Sequence, residues 1–246
     1  MMLVSRRTLR TIRSTPAATL TIRLAFRGDR VYCPCCKSHL RGLRAVCGPD
    51  RVCWVCGSSE RHRSLSLYLD DHPEMLHADM SILHVAPEDS LRRRFESVGQ
   101  VRYVAGDLDT YFGAERIDVT DLRQFEDGSF DAVICNHVLE HVGDDRAAMC
   151  ELRRVLKRGG WGLLLVPDVR ETTTDEDPTV THPAERTRRF GQHDHVRQYG
   201  WDYVDRLRDA GFEVKVELPA ELWSADTIRH LRLRKFGELE PLFIVG

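Results

Sequence analysis

FEDGSFDAVICNHVLEHVGDDRAAMCELRRVLKRGGWGLLLVP, residues 125–167, holds a complete strand–helix–strand unit. Within it FDAVIC, residues 130–135, is a continuous apolar run of strand length, the pattern of a strand covered on both faces. Residues 146–157 place apolar side chains at helical spacing, and Gly159-Gly160 is the predicted stop. WGLLLV, residues 161–166, is a second buried strand. A crossover helix between two such strands makes them a parallel pair.

The same alternation runs outward in both directions. Helices are predicted over residues 64–71, 90–98 and 199–210, ending before Pro73, at Gly99 and at Gly211. Strands are predicted over 82–85, 101–105, 116–119, 212–218 and 239–245. This order of elements gives an α/β domain with helices on both faces of a mostly parallel sheet. Residues 167–196 show no periodicity and are rich in Thr, Asp, His and Arg. A loop of that length following the carboxyl end of a strand is expected to serve a ligand site.

The 246 residues suffice for one cored α/β domain and a small appendage. Three regions are expected: a basic segment over 1–30, a cysteine-rich segment over 31–64 and the α/β domain over 65–246. A net charge of -2 supplies no global field for a polyanion. No run approaches the ~20 apolar residues of a membrane span. The basic segment lacks the continuous apolar core of a secretory signal, so a cytoplasmic location is expected. It reads as a loosely packed lead-in, with a mitochondrial presequence and a basic amphipathic segment docking on an anionic membrane or on a partner as open alternatives. Oligomeric state has no signature in the sequence.

Six of the eight cysteines lie between Cys33 and Cys56. Clustered cysteines without a secretory signal point to metal rather than disulfides. Cys33-x2-Cys36 and Cys53-x2-Cys56 have the spacing of a four-thiolate zinc ribbon, a closed site with a structural role. Cys35 and Cys47 are surplus, which leaves other ligand choices open. Arg41, Arg44, Arg51, Arg61, His62 and Arg63 make this segment basic, and a solvated charged face is the plain reading of them.

The segment from Phe125 to Pro167 resembles the class I S-adenosylmethionine (SAM)-dependent methyltransferases of the type-11 family, with the looser likeness extending over residues 82–245. Phe130–Cys135 matches the family's fourth strand, Val138 to Val142 its VLEHV, and Arg154 to Gly160 its RVLKPGG, with Arg158 in place of Pro. The resemblance implies a Rossmann-like seven-stranded, mostly parallel sheet with an antiparallel last strand. It implies SAM as cofactor, with Asp107 on the ribose hydroxyls beside Leu108. Asp118 and Val119 would lie at the adenine edge, with Asp121 as a rival, and Asn136 would line the methyl-donor pocket. The family's D-x-G-x-G turn is here His84-Val85-Ala86-Pro87-Glu88, so His84, Ala86 and Glu88 must supply different contacts, Glu88 being placed to pair with the cofactor's ammonium.

His137, Glu140 and His141 share a helical face by spacing, and residues 193–195 add His193, Asp194 and His195. Relatives with Glu-x-x-Glu-His here hold a divalent metal, so His137, Glu140, His141 and His193 form a candidate site for Mg²⁺ or another divalent ion. His141, His193 and His195 are candidate general bases, since imidazole suits deprotonation of an alcohol near neutral pH. Asp168, Arg170, Arg186, Arg188, Arg189 and Arg197 are candidates to shape an acceptor pocket. The leading reading is O-methylation of a small-molecule or saccharide hydroxyl. The alternatives are an RNA methyltransferase that uses the ribbon for RNA, and an inactive methyltransferase-like scaffold.

Overall fold

The computed structural model describes residues 16–46, 51–108, 114–235 and 237–246. The chain forms two compact units, one of Met1–Pro73, Asp89–Arg94 and Pro219–Leu239, the other of Glu74–Glu88, Phe95–Leu218 and Glu240–Gly246.

The first unit opens with helix α1 (Pro16–Ala25), started by a proline whose missing N–H costs nothing at that position. Strands β1 (Arg27–Cys33) and β2 (Ser38–Leu40) pair antiparallel. Gly28 is required at the register shift after Arg27, because a Cβ there would come within 2.8 Å of the Arg41 backbone. Helix α2 (Glu60–Asp71) begins four residues earlier than its apolar pattern predicts. The cause is local: His62 Nδ1 accepts from the Ser59 backbone N–H at 2.9 Å and closes the first turn.

Arg63 corrects the reading of the basic residues as a solvated face. It is fully buried and donates to four backbone carbonyls, those of Arg51, Ser58, Leu231 and Arg232. Each such charge-assisted bond is worth on the order of 1.5–3 kcal/mol, enough in sum to offset burial of the guanidinium.

The second unit carries a seven-stranded sheet. Its strands are β3 (Ser81–Val85), β4 (Arg102–Asp107), β5 (Glu115–Arg116), β6 (Phe130–Cys135), β7 (Leu156–Leu163), β10 (Val214–Glu217) and β11 (Leu242–Val245), in the order β10-β11-β7-β6-β3-β4-β5. Pairings from β5 to β7 are parallel, and β11 runs antiparallel to both neighbours. The expected Rossmann-like sheet with an antiparallel last strand is what forms. Along the whole chain, helices α3 (Asp89–Glu96), α4 (Asp145–Val155), α5 (Pro183–Phe190) and α6 (Tyr203–Asp209) follow α2. Strands β8 (Asp175–Glu176) and β9 (Arg197–Gln198) flank α5, and α7 (Pro219–Leu222) and α8 (Ala225–Leu231) precede β11.

Two differences from the sequence reading have physical causes. Gly159-Gly160 does not stop a helix: α4 ends at Val155 and Leu156 already pairs with Phe130. The glycines lie in β7, where the register jumps before Trp161 meets Ala132, and a Cβ on Gly160 would sit 2.8 Å from the Asp131 carbonyl oxygen. The stretch read as one long loop contains the antiparallel pair β8–β9 and helix α5. Helix α5 escaped periodicity because Phe190 is its only buried residue.

Candidate functional site

Parallel β3, β4, β6 and β7 bring their carboxyl ends to one edge. Three non-glycine residues in the left-handed region gather just past those ends: Ala86 (φ 48°), His137 (φ 54°) and Asp168 (φ 51°). Such backbone costs about 1–2 kcal/mol for an L-residue and clusters at ligand sites. Ala86 stands at the first position where the resembling family has a turn glycine, and its φ shows why glycine suits that position.

A cavity of about 370 Å³ opens at this edge. Val85 and Ala86 line it from β3, Asp107 and Leu108 from β4, Ile117 to Thr120 from the next segment, and Val138 with His141 to Asp144 from the turn after β6. Asp118 is held by an Asx turn, its Oδ1 accepting from Thr120 N at 2.9 Å and Thr120 Oγ1 at 2.7 Å. Its rival Asp121 instead takes Arg123 Nε at 2.7 Å and lines a separate surface concavity.

His84, Glu88 and Asn136 do not line that cavity but form a polar cluster of their own. Asn136 Nδ2 donates to Glu88 Oε2 at 3.3 Å, and His84 Nε2 lies 3.6 Å from the same oxygen. On its other side His84 Nδ1 is 2.8 Å from the Tyr103 hydroxyl. Asn136 Oδ1 is buried with no hydrogen-bond partner among the described residues. A cluster holding a carboxylate and an unsatisfied acceptor can take donor groups from a ligand.

Leu139–His141 forms one 3₁₀ turn after β6, with Glu140 buried. Glu140, His141 and His195 offer ligand atoms within 4.8 Å of one another. The His141 and His195 rings meet edge-on at 4.7 Å. Asp194 Oδ2 lies 3.4 Å from His141 Nδ1, and His195 Nδ1 is bonded to the Phe190 carbonyl at 2.8 Å. Burial lowers the pKa of both imidazoles, which favours their neutral form near pH 7. His193 is not part of this convergence: its side chain is 70% exposed, 3.7 Å from Asp194. His137 lies between two carboxylates, 3.6 Å from Glu140 and 3.7 Å from Glu240.

Most of the candidate acceptor arginines are engaged elsewhere. Arg186 donates to the Val180 carbonyl, Arg188 pairs with Glu185, and Arg189 pairs with Asp175 and Asp177. Arg197 is buried and donates to the carbonyls of Leu139, Val142 and Gly143, clamping the turn that carries His141. It also joins a network that sequence reasoning missed. Asp145 accepts from Tyr199 Oη at 2.6 Å and from Arg206 at 3.1 Å, while Glu176 takes Arg197 at 2.9 Å and Arg206 at 2.8 Å. No local spacing relates these residues, so only the fold reveals them.

In the first unit the thiols of Cys33, Cys36, Cys53 and Cys56 lie within 4.8 Å of one another. Cys33 and Cys56 sulfurs are 3.6 Å apart, Cys36 and Cys53 sulfurs 3.7 Å. Disulfide sulfurs would be about 2 Å apart. Sulfurs around a tetrahedral zinc with ~2.3 Å bonds sit ~3.8 Å apart, so the donor set fits such an ion. Cys35 is not one of these four; its thiol donates to the His62 carbonyl at 3.3 Å while lying beside Cys33 and Cys56, and Cys47 lies outside the described residues.

Residues 56–164 match the family model described as a methyltransferase domain. A stretch of 87 residues is 34% identical to an uncharacterized 37.1 kDa protein in transposon TN4556 of Streptomyces fradiae; the match spans 35% of this chain and 22% of that protein's length. Among solved structures the chain is similar to YcgJ of Bacillus subtilis, with 18% identity, 75% of this chain and 97% of that one covered, and a TM-score of 0.49. It is also similar to phosphoethanolamine N-methyltransferase 2 of Haemonchus contortus in complex with SAM, with 14% identity, 75% and 51% covered, and a TM-score of 0.49.

Proposed function

We propose that the chain is a SAM-dependent methyltransferase, a reading supported by the methyltransferase-domain match over residues 56–164, and that it methylates a hydroxyl of a small molecule, a saccharide being the preferred class. One observation carries this reading: His141 lines the same cavity as Asp107, Asp118 and Val119. A candidate base and the candidate cofactor contacts Ala86, Asp107, Leu108, Asp118 and Val119 thus share one cavity, with His84, Glu88 and Asn136 outside its lining.

The residues present fit the cofactor. The cavity's volume falls within the ~300–1,000 Å³ range of small-ligand sites. Asp107 ends β4, next to the edge strand β5, where a carboxylate can accept both hydroxyls of a ribose. Glu88 and the unsatisfied Asn136 Oδ1 offer acceptors for an ammonium group. When bound, SAM supplies an electrophilic methyl group on a sulfonium.

The chain's own contribution is to position the acceptor and remove its proton. Asp194 orients His141 through Nδ1, which leaves Nε2 as the basic atom. Holding an acceptor oxygen in line with a methyl donor supplies most of the acceleration expected of such a site. A second reading is favoured by the convergence of Glu140, His141 and His195, which would hold a divalent ion that polarises the hydroxyl. Chelation separates the two. For the first unit, we assign Cys33, Cys36, Cys53 and Cys56 to structural zinc.

The test is calorimetry with SAM followed by transfer of labelled methyl to a panel of saccharides. Micromolar cofactor binding and label on an oxygen are expected. Absence of SAM binding at millimolar concentration sinks the reading.

A further inference from the structure

The near-neutral total charge conceals a segregation. Residues 1–73 carry 13 Lys and Arg against 5 Asp and Glu, whereas residues 74–246 carry 23 against 33. Residues 1–28 contain six arginines and no acid.

Within this basic region α1 presents an apolar stripe outward. Ala17, Leu20, Thr21 and Leu24 are exposed and spaced along one helical face, while Ile22 packs against the cysteine-rich core. Leu20 is 59% and Leu24 63% exposed, two of the five large apolar side chains that stand out from the described residues. Thr21 does not interrupt the stripe, because its hydroxyl is turned back onto the Ala17 carbonyl at 3.0 Å. Beside the stripe lies a concavity of about 310 Å³ lined by Leu24 together with Arg23, Arg27, Lys37 and His39, with Asp29 the one acid in its lining. Lys37 is paired with Asp70, and Arg23 donates to the Cys36 carbonyl, which leaves Arg27 as the cation most available to a phosphate.

We propose that this face of α1 and the adjoining basic concavity dock on an anionic lipid surface. Leu20 and Leu24 enter the acyl boundary, and the cations meet headgroup phosphates. Exposed leucines beside a cationic rim match an interfacial helix. A polyanion such as RNA would use the cations and leave the leucines in water, so the apolar stripe favours the lipid. No helix among the described residues is long and apolar enough to cross a membrane. The inference is independent of the methyl-transfer reading and its test does not measure turnover.

Flotation of the full chain with vesicles tests it, using phosphatidylglycerol mixed with phosphatidylcholine against phosphatidylcholine alone. Binding to the anionic vesicles only, weakened by salt, is expected. The Leu20→Ser, Leu24→Ser double variant should lose roughly tenfold in partitioning while keeping its helical circular dichroism and its metal content. In a Leu20→Trp variant, anionic vesicles should shift tryptophan emission to the blue by more than they shift that of the parent chain. Absence of binding to anionic vesicles overturns the proposal. So does full binding by the double serine variant, or an emission in the Leu20→Trp variant that vesicles shift no further than the parent's. Binding of poly(U) without vesicle binding overturns it in favour of RNA, and a dimer abolished by the serine pair without vesicle binding overturns it in favour of a second copy.

Discussion

Asp194 Oδ2 stands 3.4 Å from His141 Nδ1, and this pair joins the β8–β9 insertion to the turn after β6. In the proposed role, a carboxylate at that distance favours the tautomer protonated at Nδ1, with Nε2 as the basic atom. His141→Ala is expected to lower kcat by about 10²–10⁴-fold and leave SAM affinity unchanged. Asp194→Asn should cost less and shift the acid limb of the pH–rate profile. Because burial lowers the His141 pKa, that limb should lie below the ordinary imidazole range. A profile unaltered by both substitutions would remove His141 as base.

Chelation gives a second prediction. If His141 acts as base without metal, removing Mg²⁺ and Mn²⁺ under conditions that keep one zinc per chain leaves the rate unchanged; a rate lost on that removal and restored by Mg²⁺ or Mn²⁺ would establish the second reading. Single-turnover rates before and after metal addition decide it.

Ala86→Gly is predicted to stabilise the fold. Relief of the left-handed conformation contributes about 1–2 kcal/mol, offset by about 0.5–1 kcal/mol of added unfolded-state entropy. A higher urea midpoint with an unchanged slope is the expected result.

Glu176 carries a pH prediction. Arg206 and then Arg197 hold its pKa down to about 2, below the ordinary carboxylate value of 4.5. A depressed folded pKa contributes stability above the unfolded value, lost as pH falls from about 4.5 toward 2. The side chain is 40% exposed, so solvent screening limits the contribution to about 1 kcal/mol. Glu176→Gln should flatten the acid limb of a stability–pH curve by that amount.

Cys53→Ser should abolish zinc retention and lower the melting temperature, since a buried ligand is lost. Cys35→Ser should keep one zinc per chain, since Cys33, Cys36, Cys53 and Cys56 already supply four converging thiolates. Elemental analysis after dialysis checks both.

The sheet was legible in the sequence because buried parallel strands are short apolar runs, as in Phe130–Cys135, and their alternation with amphipathic helices leaves few ways to cover both faces. Helix α5 and the β8–β9 pair were not legible, since elements with one buried face of one or two residues leave no period to read. The two CxxC knuckles were legible because thiol spacing is a local property.

The sequence by itself therefore determined the parallel sheet, the resemblance carried by Phe125 to Pro167, and the thiol pairs. Only the tertiary structure decided that Asp118 rather than Asp121 faces the cavity, that His195 rather than His193 meets Glu140 and His141, and that Arg63 and Arg197 are internal braces. The physical reason is range. Strand and helix patterns and knuckle spacings are set by neighbours along the chain, whereas the partner of a buried charge is set by which carbonyls and carboxylates the folded chain brings within hydrogen-bond distance.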